Sequence, residues 1–323
     1  MATDPVIHPV RLSRKAMERH FEGFVVSMRK ATPETRGTYT RALREFVRWF
    51  PADGSFRFRV ADVRKYKRHL EVRKKLSAVS VSTYLTAFRR FCDHLVHRGV
   101  LKENPGKYVG GNSRPTSHSR DYLTPADVHA VMSAIVPANL RGARDHAMIL
   151  LMLRCALSEI ELVRADCADL QPAGDTSRLM VQGKGRTSKD EAVILLSDVR
   201  EAVLRYLAAR GQTSPQDPLF ASEGNRTRGQ RMTTRGIRDR VNLGLTAAGV
   251  KGGSVRRISP FSLRHTAALL MAQEGATAED IRQRLRLGSN ATATLYLQYK
   301  NSNDHQQPTS EKEDHGALPV QHD

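Results

Sequence analysis

The chain is poor in cysteine, in acid and in unbroken apolar sequence, and each shortage excludes something. Its three cysteines, Cys92, Cys155 and Cys167, are odd in number and show no close metal-ligand pairing. A disulfide framework and a cysteine-based metal site are therefore not expected, and the thiols read as reduced core residues of a cytoplasmic protein. Residues 1–12 hold no apolar run of signal-peptide length, and the most apolar stretch, 147–157, is interrupted by Arg154. Neither an export signal nor a membrane span is expected. The shortage of acid is the most telling, with 33 Asp+Glu against 52 Lys+Arg and a formal net charge of +19. Such an excess implies a polyanionic partner. Charge by itself fits a nucleic acid, a ribosomal surface, a membrane surface or a merely basic soluble protein, and the motifs must decide.

At 323 residues and 40% hydrophobic content the chain is long enough for two domains with cores of their own. The first third reads as helical. Phe21, Phe24, Val25 and Met28 recur at helical spacing over 16–28; Tyr39, Leu43, Phe46 and Trp49 do so over 35–50; a third helix fits 60–70. A fourth starts at Ser80, with Val81, Leu85, Phe88, Phe91 and Leu95 on one face, and Gly99 stops it. The polar faces carry Arg41, Arg44, Arg48, Arg64, Lys65, Lys67, Arg68, Arg73, Lys74, Lys75, Arg89 and Arg90. A charge run is usually a solvated face, but this one is nearly all of one sign and repeats on successive helices, as a phosphate-tracking surface would.

Residues 104–120 are rich in turn formers and read as a linker. A second domain opens where Thr124 caps a helix and Pro125 takes its first position. Over 178–196 the period changes: two short apolar runs flank Gly183-Lys184-Gly185, a strand, turn and strand. Helices are then expected over 199–209, 234–248, 262–273 and 278–286, and residues 301–323 read as a disordered tail.

Near the C-terminus stand Ser262-Leu263-Arg264-His265-Thr266 and, after another helical stretch, Ser289-Asn290-Ala291-Thr292-Ala293-Thr294-Leu295-Tyr296. This is the layout of a phosphate clamp plus a nucleophile, and it resembles the catalytic domain of tyrosine recombinases, the phage integrase family. The resemblance runs from about Lys15 to Tyr299. It implies a mainly α fold with a small antiparallel β-sheet: a tail over 1–14, a helical core-binding (SAM-like) DNA-binding domain over 15–103, and an α+β catalytic domain over 121–300. It also implies a duplex DNA partner, assembly as a dimer or tetramer on DNA, a possible partner recombinase, and no cofactor. Tyrosine as nucleophile conserves the phosphodiester energy in a covalent phosphotyrosine, so neither ATP nor metal is needed.

By the same resemblance Tyr296 is the nucleophile, Arg264 a clamp arginine whose fork suits two phosphate oxygens, and Lys184 at the hairpin tip the general acid. Spacing from Arg264 favours Tyr296 over Tyr299, and His265 reads as a packing neighbour. Three positions depart from the family pattern: Ser158 in Cys155-Ala156-Leu157-Ser158-Glu159-Ile160-Glu161 stands where the first clamp arginine is usual, Phe261 stands where a histidine is usual, and Leu287 stands where histidine or tryptophan is usual. Glu161 matches the acidic residue that commonly follows that arginine. Losing one clamp arginine costs about 3 to 5 kcal/mol of transition-state stabilisation. Arg154, one turn before Ser158, is a possible replacement, with Arg164 and Arg286 as further neighbouring cations. The sequence thus leaves open an active recombinase, a DNA-binding member of the family without catalysis, and a generic basic helical protein.

Overall fold

The computed structural model describes residues 7–112, 121–183, 186–253 and 256–304, with side chains described through residue 298. The chain divides into two compact units, Met1–Thr116 and Ser117–Asp323. It is mainly α-helical with one small antiparallel sheet, as expected.

In the first unit the helical spacing of apolar residues produces α1 (Arg14–Ser27), α2 (Pro33–Trp49), α3 (Val60–Arg68) and α4 (Ala78–His97). Ser13, Thr32 and Ser77 cap α1, α2 and α4, each side-chain oxygen accepting the backbone N–H three residues on. The inner faces meet on an aromatic cluster. Phe46 packs edge-on against Phe56, Tyr66 and Phe88 with ring centroids 5.4, 5.0 and 4.8 Å away, and Trp49 lies at the margin between Tyr66 and His69. Beyond Arg68, α3 widens into a looser turn over His69–Arg73. Gly99 ends α4 in the left-handed conformation, φ +70°.

Residues 104–112, read above as linker, are instead anchored to this unit. Arg89 donates from Nε to the Gly106 carbonyl (2.9 Å) and from Nη2 to that of Val109 (2.7 Å). Asn104 donates to the Arg89 carbonyl (2.9 Å) and to Asp93 (2.8 Å). Gly106 admits no side chain, since a β-carbon there would lie 2.9 Å from Cγ of Arg89. Glycine and asparagine at this place serve close packing, which their turn-forming tendency disguises in the sequence. Residues 113–120 lie outside the described residues.

The second unit starts with α5 (Pro125–Ala134), where Thr124 and Asp127 form a reciprocal cap around Pro125. Next come α6 (Leu140–Arg154), buried on nearly every side, and α7 (Glu159–Arg164), too short for periodicity to reveal. Three antiparallel strands follow in the order β1 (Leu170–Ala173), β2 (Thr176–Val181) and β3 (Glu191–Leu195). The hairpin was expected; β1 was not, because with Pro172 and no inward alternation it carries little strand signal. Then come α8 (Ser197–Arg210), α9 (Thr234–Ala247), α10 (Pro260–Gln273), α11 (Ala278–Arg284) and α12 (Asn290–Asp304). Residues 301–304, read above as the start of a disordered tail, instead belong to α12, and residues 305–323 lie outside the described residues.

Two apolar clusters build this unit. The larger joins α6, α8 and α9 to the sheet, and the smaller packs α10, α11 and α12 through Ala268, Ala272, Ile281, Leu285, Ala293 and Tyr296. Small side chains at Ala268, Ala272 and Ala293 let α12 close on α10, which carries Tyr296 inward. The cysteines are all free, but only Cys92 and Cys155 are core residues; Cys167 is half-buried. Among the described residues no helix is long and apolar enough to cross a membrane.

Candidate active site

The site gathers on Glu161, whose carboxylate is almost entirely buried. From α10, Nη1 of Arg264 donates to Glu161 Oε2 at 3.0 Å and to the Ala156 carbonyl at 2.7 Å, while Nη2 donates to the Leu285 carbonyl. From the turn after α11, Arg286 donates from Nε to Glu161 Oε1 at 2.6 Å and from Nη2 to Oε2 at 3.1 Å. The same Nη2 reaches the Ala156 carbonyl at 2.8 Å, and Nη1 reaches that of Arg284 at 2.7 Å. Ser158 completes the cluster by donating to Oε2 from its backbone N (2.7 Å) and its Oγ (2.8 Å), which caps α7.

Burial acts to raise the Glu161 pKa, but the bonds and charges of Arg286 and Arg264 and the Ser158 N–H outweigh it, and the carboxyl is held below its usual range. Burial likewise pulls the Arg264 guanidinium below its usual value, partly restored by Glu161. Ala156 and Arg286, which bracket the cluster, both adopt left-handed backbone, φ +52° and +51°. For a residue with a β-carbon this conformation costs about 1 to 2 kcal/mol, and here it turns the Ala156 carbonyl and the Arg286 side chain toward Arg264 and Glu161.

Tyr296 is 2% exposed, and its hydroxyl lies 2.8 Å from Nδ1 of His265. Burial pushes the phenol well above its usual range, while the Arg264 cation pulls it part of the way back. Phe261 lies one turn before His265, 44% exposed, with its ring edge-on to the imidazole at 4.5 Å between centroids. Leu287 packs against the apolar cluster that holds Tyr296. The two positions where imidazole or indole was expected therefore supply apolar walls.

Arg264, Ser158 and Glu161 thus meet directly, and Tyr296 stands beside them within the field of Arg264. Arg154 does not join them: it pairs with Asp198 at 3.3 Å and lines a separate cavity of about 340 Å³ with Leu196, Ala267 and Leu270. Lys184 lies outside the described residues. Two members escaped the sequence reading as site residues. His265 was set aside as packing, and Arg286 was one of several nearby cations, its signal being a position beside Leu287 in the turn before α12. Among the described residues no group of three His, Cys, Asp or Glu side chains is placed to hold a metal.

The basic residues of the first unit separate into two kinds. Arg41, Arg44, Lys65, Arg68, Lys75 and Arg90 are exposed, and Arg41 and Arg44 line a cavity of about 570 Å³ with Phe21, Arg48 and Tyr84. Arg64 is exposed as well. Lys67 and Lys74 face protein acceptors, the Gly110 carbonyl at 3.2 Å and Glu45 at 3.1 Å, and Arg89 binds the 104–112 segment.

A helical N-terminal unit is followed by an α+β unit in which arginine, histidine and tyrosine side chains gather between α10 and α12. Residues 121–304 match the phage integrase family, and residues 17–100 match the phage integrase N-terminal SAM-like domain. The chain belongs to the phage integrase family. It is 28% identical to the tyrosine recombinase XerC of Pelobacter propionicus over 90% of this chain and 91% of that protein. Its fold resembles XerH site-specific recombinase bound to palindromic difH substrate in a post-cleavage complex, with TM-score 0.69, 16% identity, and 91% of this chain and 83% of that one covered. It also resembles a lambda integrase fragment, a dimer bound to a COC' core site, with TM-score 0.65, 11% identity, and 92% and 97% covered.

Proposed function

We propose that this protein breaks and rejoins duplex DNA at specific sites through a covalent 3'-phosphotyrosine on Tyr296, assembled on DNA as a dimer or larger oligomer. The observation that carries the reading is the hydrogen bond between Tyr296 and His265, set one residue from a buried Arg264. A tyrosine kept for packing alone needs neither an imidazole on its hydroxyl nor a guanidinium in its field. In the cleavage step the Tyr296 oxygen attacks phosphorus, its proton passes to Nδ1 of His265, and the P–O bond to the 5' oxygen breaks. Arg264 stabilises the charge on the non-bridging oxygens. Lys184, by family resemblance, protonates the leaving oxygen. Because burial keeps the phenol protonated, cleavage requires α12 to shift so that the hydroxyl reaches DNA.

A family member that binds DNA without cutting it is the second reading, favoured by Ser158, Phe261 and Leu287 at positions where the family usually has catalytic side chains. The relatives named above, one of them bound to its site as a dimer, support duplex DNA as the partner in both readings. The discriminating experiment takes a binding site enriched from random duplexes, nicks it near its centre, and tests for covalent protein-DNA adduct. Adduct in wild type that vanishes in Tyr296→Phe supports cleavage; specific binding with no adduct at any nick position establishes the second reading.

A further inference from the structure

The geometry points to Arg286 as the second cation of the phosphate clamp, in the role that the arginine missing at position 158 would fill. The inference rests on the strand-cleavage reading for its substrate, the phosphodiester that Tyr296 attacks.

Two guanidiniums from separate elements converge on one carboxylate and one carbonyl. Arg264 and Arg286 both bond Glu161 and the Ala156 oxygen, and the three side chains are each less than one-tenth exposed. Two cations and one anion leave the buried cluster one positive charge in excess. Uncompensated charge in a protein interior is expensive unless a counter-ion completes it. A phosphodiester, with its single negative charge, is the anion that balances the cluster.

Donors remain to receive it. A guanidinium has five N–H groups; Arg264 directs three at protein acceptors and Arg286 four. Both guanidiniums bond the same carboxylate oxygen and the same carbonyl, so their remaining N–H groups belong to adjacent forks, a donor type suited to phosphate oxygens. Backbone conformation agrees: Arg286 tolerates φ +51°, a geometry that glycine would adopt at no cost, and the result is a guanidinium aimed at Glu161. Arg286 also lines a cavity of about 680 Å³ in which it and Arg186, Arg282 and Arg284 outnumber the acids Glu191 and Asp280. Ser158 then has a different task, fixing the carboxylate that orients both arginines.

Arg286→Gly removes the cation with the residue best suited to that backbone, and Glu161 keeps Arg264 as partner, so the fold should persist; circular dichroism checks it. The first readout is orthovanadate, a tetrahedral oxyanion, titrated into the full chain by vanadium NMR. Wild type and Arg154→Gln are expected to bind alike, Arg286→Gly about tenfold or more weaker, and Arg286→Lys between them. The second is covalent adduct on the nicked site, expected to fall about 100-fold in Arg286→Gly. A neutral methylphosphonate at the cleaved position should recover part of that loss, which a purely structural role for Arg286 would not allow. Vanadate binding in Arg286→Gly equal to wild type, or adduct equal to wild type, overturns the assignment while leaving strand cleavage intact. Arg286-dependent vanadate binding with no adduct in wild type keeps the anion clamp and removes the cleavage reading instead.

Discussion

The hydroxyl of Tyr296 and Nδ1 of His265 lie 2.8 Å apart in the buried seam between α12 and α10, so the candidate nucleophile is held by the residue adjacent in sequence to Arg264, the candidate clamp arginine. Anything that frees the tyrosine for chemistry must break or exchange this contact, and anything that weakens it loosens α12.

That coupling is measurable as a double-mutant cycle. Tyr296→Phe keeps the ring and loses the hydrogen bond, at about 1 kcal/mol. His265→Ala also empties packing volume beside Phe261, at about 2 to 3 kcal/mol. The double variant is expected to cost about 1 kcal/mol less than the sum, because the shared bond is lost only once. Urea unfolding of the four proteins reads this; strict additivity would show that the two side chains are not coupled.

Acid should loosen the site through Glu161. Its folded pKa lies below the ordinary carboxylate value, so the unfolded chain takes up the proton more readily. The stabilisation is complete above the unfolded pKa, about 4.3, and is lost as pH falls through the folded one. Glu161→Gln leaves two buried arginines without an anion and should cost about 3 to 5 kcal/mol at neutral pH. The gap between wild type and Glu161→Gln is expected to shrink below about pH 4. A gap of constant size from neutral pH to pH 3 would mean that Glu161 is not the ionised acceptor of both arginines.

Ser158→Arg, which the sequence comparison suggests as a repair, is expected to fail alone. Ser158 caps α7 and bonds Glu161 through two donors, worth about 1 kcal/mol as a cap. A third guanidinium would share one carboxylate with Arg264 and Arg286. Adduct yield should not rise in Ser158→Arg but should recover in Ser158→Arg combined with Arg286→Gly, where the number of cations is restored. A rise in the single variant would show that the site lacks a cation after all.

DNA affinity separates the two kinds of basic residue in the first unit. Replacing Arg41 and Arg44 with alanine should lower the slope of log affinity against log salt by about one per arginine. Arg89→Ala should instead destabilise the unit by about 2 kcal/mol, because the Gly106 and Val109 carbonyls lose their donor. Fluorescence anisotropy across a salt titration, with thermal unfolding alongside, distinguishes these; an unchanged slope in the double variant removes the α2 face from the DNA surface.

Much of this was legible in the sequence because it is written in local rules. Thr124-Pro125 marked a helix start, Gly99 a helix end, and the apolar periods of α2 and α4 their buried faces. Arg264 and Tyr296 stood out as candidates through the family resemblance of the segments that carry them. The remainder depends on tertiary geometry. Nothing local shows that Arg286, in a tight turn after α11, folds back onto Glu161 from 125 positions away. His265 resembled packing because it does pack, with Phe261 against its ring. Arg89 looked like one more cation on a basic face until the carbonyls of the following loop were seen to lie under it.

The aromatic cluster of the first unit carries a spectroscopic consequence. Trp49 is the sole tryptophan of the chain, half-buried against Tyr66 and His69. Emission excited at the red edge of indole absorption therefore arises from the N-terminal unit alone, and its quenching reports on that unit's integrity without contribution from the unit that carries Tyr296. The molecule contains its own one-sided optical label, and unfolding curves from fluorescence and from circular dichroism will coincide only if both units lose structure together.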